Sequence, residues 1–263
     1  MEYITTKRGM NNMMVILIGI LLMVKIATPV RADSPATPDL LLELEGSGVW
    51  QSRNDVQIPN DITGTRFSLV DVIGKELGPA VRFTATWNIS EKHGLRLLFA
   101  PLSVTETADL ELPVDFDGGN FGVGMPIDAT YKFNSWRLSY RYRFNASEHW
   151  KWWIGITAKI RDAKIRLDQG AEVAEETDVG FVPLLHIAGS WFITPRWTAE
   201  LEIDALAGGP GRAEDASLKL RYHFARGWSV AGGYRTVEGG ADVDEVYNFA
   251  WLHYSVVSVS LAF

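Results

Sequence analysis

The C-terminal half of the chain alternates polar and apolar residues with a period of two. From Trp136 to Phe144 one side carries Trp136, Leu138, Tyr140, Tyr142 and Phe144, and the other Arg137, Ser139, Arg141 and Arg143. From Trp197 to Ala205, Leu201 and Ile203 lie opposite Glu200, Glu202 and Asp204, and from Leu218 to Phe224, Leu220 and Tyr222 lie opposite Lys219 and Arg221. Successive side chains of a strand point to opposite faces, so this pattern predicts half-buried strands. The predicted set is 40–52, 79–88, 94–105, 128–144, 149–166, 179–192, 196–206, 215–224, 227–238 and 247–263. Gly64 to Gly78 can add a short helix or a strand pair, so eight to twelve strands are compatible with the pattern. Pro183 falls inside the sixth strand, where a residue that cannot donate to a ladder is expected to mark a bulge or a strand end.

Alternation alone also suits a soluble sandwich; the connections decide against one. Four are short and flanked by aromatic residues: Trp87 to Gly94, Phe144 to Trp150, Phe192 to Trp197 and Phe224 to Trp228. The others, roughly 54–78, 106–127, 167–178, 207–215 and 239–246, read as longer acidic loops. Short turns on one side, long loops on the other and an aromatic girdle predict an all-β fold, a transmembrane antiparallel up-and-down β-barrel of about ten strands. Mean hydropathy of zero beside 10 Trp, 8 Tyr and 12 Phe suits strands that are apolar on one face only.

The N-terminus places such a barrel outside the inner membrane. Lys7 and Arg8 precede an apolar run from Val15 to Val24, and Val30 to Ala32 offers a small-x-small cleavage site. The run is too short to span a bilayer and fits a secretory signal, so residues 1–32 are expected to be removed after Ala32, leaving 33–263 as the barrel. Cleavage removes Lys7, Arg8, Lys25, Arg31 and Glu2, so 25 basic and 32 acidic side chains become 21 and 31, a net charge of −10. That balance argues against a nucleic-acid partner. The chain has no cysteine, hence no disulfide framework or thiolate metal site. No cofactor is implied.

The chain ends on an alternating run from Val257 to Phe263. This resembles the terminal strand of bacterial outer-membrane proteins, in which a final aromatic residue is part of the signal read by the barrel assembly machinery. The resemblance implies a bacterial outer-membrane location, that machinery as a partner at Phe263, contact with outer-membrane lipids and lipopolysaccharide, and a single-chain barrel, expected to be monomeric.

Parity assigns a charged lumen. Arg82, Arg96, Arg137, Arg141, Arg143, Lys151, Lys159, Arg161, Lys219, Arg221 and Arg235 are expected to face inward, as are Glu43, Glu45, Glu200, Glu202 and Asp204. Two readings follow. The charges pair into a plug, since unpaired charge in so confined a space is costly, or they line a narrow or gated, anion-preferring pore. Either gives a non-catalytic outer-membrane protein. A third reading is surface binding or adhesion through acidic loops carrying Glu111, Asp115, Glu175, Asp178, Asp242 and Glu245; no stretch there has EF-hand ligand spacing.

The chain contains no H-E-x-x-H, G-x-S-x-G or Walker motif. His253 and Ser255 lie at i and i+2 on the lipid-facing side of the last strand. Their spacing resembles the His-x-Ser of the outer-membrane lipid A 3-O-deacylases. That likeness implies an alternative function as a lipid A-modifying esterase, with Ser255 as nucleophile, His253 as base and Glu238 orienting the histidine. The deacylase barrel has eight strands, fewer than predicted here. Omptin proteases share the ten-strand count, but their acidic-pair and Asp-His pattern has no match at the strand tops.

Overall fold

The computed structural model describes residues 38–209 and 211–263. The expected signal segment lies outside the described residues. In chain order the elements are β1 (Leu40–Gln57), β2 (Phe67–Ser68), α1 (Leu69–Ile73), β3 (Glu76–Asn88), β4 (His93–Ala100) and β5 (Ser103–Ala108). There follow β6 (Val114–Phe116), β7 (Gly119–Phe121), β8 (Ile127–Ala146), β9 (Trp150–Gln169) and β10 (Glu172–Thr194). The chain closes with β11 (Trp197–Gly208), β12 (Gly211–Ala225), β13 (Trp228–Asp242) and β14 (Tyr247–Ala262). Each long strand pairs antiparallel with its neighbours, and β14 pairs with β1 from Leu41↔Ala262 to Gln57↔Tyr247, closing the sheet. Ten strands form the wall. β4 and β5 act as one of them, because both pair with β8 in a single continuous register. Pro101, which has no N–H, breaks that strand between them.

The outward face is apolar around the barrel. Leu44, Phe83, Leu97, Leu138, Ile156, Leu185, Leu218 and Val257 are all exposed. A patch of that extent is stable only against lipid or a partner. At the short-turn end the predicted girdle forms: Trp150 stacks on Trp191 at 5.3 Å, and Trp197 meets Tyr222 at 4.8 Å.

Three of the five connections expected to be long acidic loops are strand instead. β9 and β10 continue to Gln169↔Glu172, β11 and β12 to Gly208↔Gly211, and β13 and β14 to Asp242↔Tyr247. Residues 167–178 and 239–246 therefore turn tightly, and the described residues on either side of 210 are strand up to Gly208 and from Gly211. In the first of these, Glu175 sits across from Lys164 and Arg166, at 3.2 and 3.3 Å, so the acids face cross-strand bases.

Only two connections remain long, and both fold inward over the loop end of the barrel. The first carries β2 and α1, whose N-cap Ser68 accepts a hydrogen bond from the Val70 amide at 3.2 Å. The second carries the β6–β7 hairpin. Leu69 and Ile73 of α1 and Phe116 and Phe121 of the hairpin join Val56, Ile127, Leu167 and Leu252 of the wall in an apolar core. A bulge between Gln51 and Arg53 lets β1 take part in both halves of the interior. Below it Glu43, Glu45 and Gln51 point inward; above it Asn54 and Val56 do. Gln51 Nε2 donates to the Gly74 carbonyl at 2.6 Å and ties the first connection to the wall.

Candidate functional site: the lumen

Below the apolar core the interior turns charged. Asp215, on β12, accepts from three arginines: Arg82 at 2.9 Å, Arg137 at 2.8 Å and Arg235 at 2.6 Å. Arg137 also reaches Asp204 at 2.8 Å, and Asp204 holds His186 Nδ1 at 2.7 Å and the Thr157 hydroxyl at 3.0 Å. Arg96 joins Glu202 at 2.9 Å to Asp204 at 3.9 Å. On the other side Arg235 meets Glu45 at 3.3 Å, and Lys219 bridges Glu45 at 3.7 Å to Glu43 at 2.7 Å. Arg221 then links Glu43 at 3.1 Å to Glu200 at 2.7 Å, and donates to Ser260 of β14.

These contacts form one connected network. Its six carboxylates are Glu43, Glu45, Glu200, Glu202, Asp204 and Asp215; its six cations are Arg82, Arg96, Arg137, Lys219, Arg221 and Arg235. Every wall strand supplies a member or a hydroxyl or imidazole partner, so the layer spans the lumen from wall to wall. Charge balance within the layer is what makes its burial tolerable.

Two buried cations stand outside that balance. Among the described residues, neither Arg141 nor Lys159 has a carboxylate partner. Each rests over an aromatic ring instead, Arg141 on Trp153 and Lys159 on Phe133, both at 4.9 Å. Arg141 lines a cavity of about 310 Å³ toward the short turns, together with Lys151 and His223. Lys159 lines one of about 680 Å³ toward the loops. The remaining residues assigned inward by parity sit at the ends. Arg143 pairs with Glu91 at 3.4 Å beside the β3–β4 turn, and Arg161 pairs with Asp178 at the loop end.

Asp215, the most connected carboxylate, is not among the residues that parity assigns inward, because position 215 stands on the boundary between the predicted loop 207–215 and the predicted strand 215–224, while β12 in fact begins at Gly211. The parity of Asp215 with Ser217, Lys219 and Arg221 was the available signal. Sequence parity also missed the apolar loop-end interior, which forms from residues far apart in the chain.

The lipid-facing trio is not assembled. His253 does face outward, but its Nδ1 meets the Tyr234 hydroxyl at 2.5 Å and its Nε2 the Ser52 hydroxyl at 2.8 Å. Ser255 donates to the Gly48 carbonyl at 3.5 Å. Glu238 pairs with Arg212 and stands across from Trp251, while Thr236 stands across from His253. Trp50 stacks on the His253 ring at 5.4 Å. The histidine is thus one of a row of interfacial aromatics. Among the described residues no group of three His, Asp or Glu is placed to hold a metal ion.

No family model matches the chain, and no curated protein matches it in sequence. Solved structures do match in fold. The outer-membrane protease OmpT of Escherichia coli superposes with a TM-score of 0.55 at 8% identity, over 88% of this chain and 100% of its own. The translocator domain of the autotransporter NalP of Neisseria meningitidis gives 0.41 at 12%, over 98% of each chain. The attachment invasion locus protein Ail of Yersinia pestis gives 0.37 at 9%, over 84% of this chain and 99% of its own. With its ten-stranded closed wall and apolar exterior, the chain has the fold of the bacterial outer-membrane β-barrel proteins.

Proposed function

We propose that this chain is an exported outer-membrane barrel, cleaved after Ala32, whose lumen is closed at rest. Its short turns lie in the periplasm and its loop end at the cell surface. Phe263 presents the terminal strand to the assembly machinery, and the barrel works as a monomer in contact with outer-membrane lipid and lipopolysaccharide. The observation that carries this reading is the balanced layer of six carboxylates and six cations crossing the lumen between the two cavities. A ten-stranded barrel is near the size at which side chains fill the interior, and here they do so as ion pairs. The role that follows is that of a non-catalytic envelope protein. OmpT is a protease; at 8% identity the likeness is one of fold.

Planar-bilayer recording of the refolded barrel tests the reading. It predicts a silent membrane at neutral pH. Discrete conductance steps from the unmodified protein would refute the closed lumen and favour the anion-preferring pore.

A further inference from the structure

The wall has two seams toward its loop end, one between β3 and β5, where β3 leaves β4 above Phe83, and a longer one between β10 and β11. β10 and β11 pair from Thr194↔Trp197 only as far as Leu185↔Ala205. Above that point the described residues of β10 continue on β9 alone to Glu172, while β11 continues on β12 to Gly208. The two hairpins diverge, and Pro183 stands just above the last paired residue, where it offers no N–H to either neighbour. Phe181, Val182 and Pro183 on one side of the seam and Leu206 and Gly208 on the other all line the 680 Å³ cavity. The cavity therefore reaches the gap in the wall. The outward residues beside it on β10, Val179, Phe181 and Leu185, are exposed and apolar.

The cavity is amphipathic. Phe133, Ile165, Val182, Leu206, Val237 and Leu252 give it apolar walls. Lys159, only 4% exposed, lines it with no carboxylate partner among the described residues. The neighbouring cations are committed: Arg161 to Asp178, and Arg82 and Arg137 to Asp215. A buried ammonium without a counter-ion is costly, and a bound monoanion would relieve that cost. The volume falls within the range of about 300–1,000 Å³ usual for small-molecule sites.

We infer that the loop-end cavity binds a single-chain alkyl carboxylate, which enters from the outer leaflet through the β10–β11 seam, lays its chain along the apolar walls and ion-pairs with Lys159. Lys159 is the cation of this cavity without a carboxylate partner among the described residues, and Glu176 and Glu245 also line it; a monoanion therefore suits it, and a dianionic phosphate would be left half-neutralised. The site lies on the loop side of the ion layer, so it holds whether or not the lumen conducts.

Calorimetric titration of the whole mature barrel in lipid nanodiscs tests this, with empty nanodiscs subtracted for partitioning. The probes are decanoate, decanol and decyl phosphate, and heat-dependent gel migration confirms that each variant is folded. Decanoate is expected to bind saturably, one per barrel, and Lys159→Met to weaken it about tenfold or more while decanol stays weak in both. Lys159→Arg should retain decanoate binding, and Leu206→Trp, which keeps the lysine but fills the cavity, should lose it. No saturable decanoate signal, equal binding by Lys159→Met, or decanol binding as well as decanoate would each overturn the assignment. Tighter binding of decyl phosphate would replace the carboxylate by a phospholipid-type headgroup.

Discussion

Asp215 is the residue on which the ion layer turns. Its two oxygens serve Arg82, Arg137 and Arg235, all buried. Removing its charge strands three guanidinium groups in a space with little water. Asp215→Asn is therefore expected to lower stability by about 3–5 kcal/mol, the usual cost of breaking a buried pair on one side. Glu238→Gln breaks the Arg212 pair on the exposed outer wall and should cost no more than about 1 kcal/mol. Urea unfolding in detergent, followed by tryptophan fluorescence, compares the two; equal effects would show that the network does not hold the interior. His253 and Ser255 give the opposite prediction. Their hydrogen bonds run to Tyr234, Ser52 and Gly48, with none to each other, so Ser255→Ala should leave the lipid A mass spectrum of expressing cells unchanged. A mass difference that vanishes in the variant would restore the esterase reading.

Among the elements, β3 and β10 are each paired on both sides only in their lower part; β3 meets β4 from Phe83↔Phe99 to Asn88↔Gly94 and has only β1 above that, and the longer one-sided stretch belongs to β10. Its lower half is paired on both sides, but its upper half has only β9. A strand residue sends its N–H to one neighbour or the other in alternation, so about half of the upper amides lack a ladder acceptor. Hydrogen exchange should therefore split along the strand. Amides within 174–184 are expected to divide into a fast and a slow set, while those of 185–192 exchange uniformly slowly. Uniform protection along the whole strand would mean that the seam is closed in the membrane. Legibility in the sequence also differs by element. The alternation on β8, β11 and β12 fixed their positions to within a few residues. The loop-end extensions of β9 and β10 were read as loop because residues 167–178 are rich in acids and lack an apolar face. Their pairing depends on register inherited from the strands below and on Lys164 and Arg166 across the ladder.

For the whole molecule, the interior falls into three tiers. An apolar core made by the two inward-folded connections lies at the loop end, the ion layer beneath it, and a cavity lined by Arg141, Lys151 and His223 beside Trp153 and Phe192 at the short-turn end. The closed state depends on the middle tier. The double variant Arg137→Ala with Asp215→Ala removes one cation and one anion, so it opens space while keeping the layer neutral. It is expected to produce conductance steps in planar bilayers where the parent is silent. A variant that folds but stays silent would place the barrier in the loop-end core.

The sequence alone determined the exterior: period-two alternation and aromatic-flanked turns are local signals, because in lipid every strand must show the same apolar face. Parity along a strand needs no partner, so it could group charges on one face, although it left out Asp215. Which charges meet was decided only by closure. Asp215 and Arg82 are 133 positions apart and Lys219 and Glu43 are 176 apart, and nothing in either strand names the other. The surplus of cations at Arg141 and Lys159, the tucked connections and the β10–β11 seam likewise arise from wrapping ten strands around one small interior, where charge balance and space are properties of the circle and not of any segment.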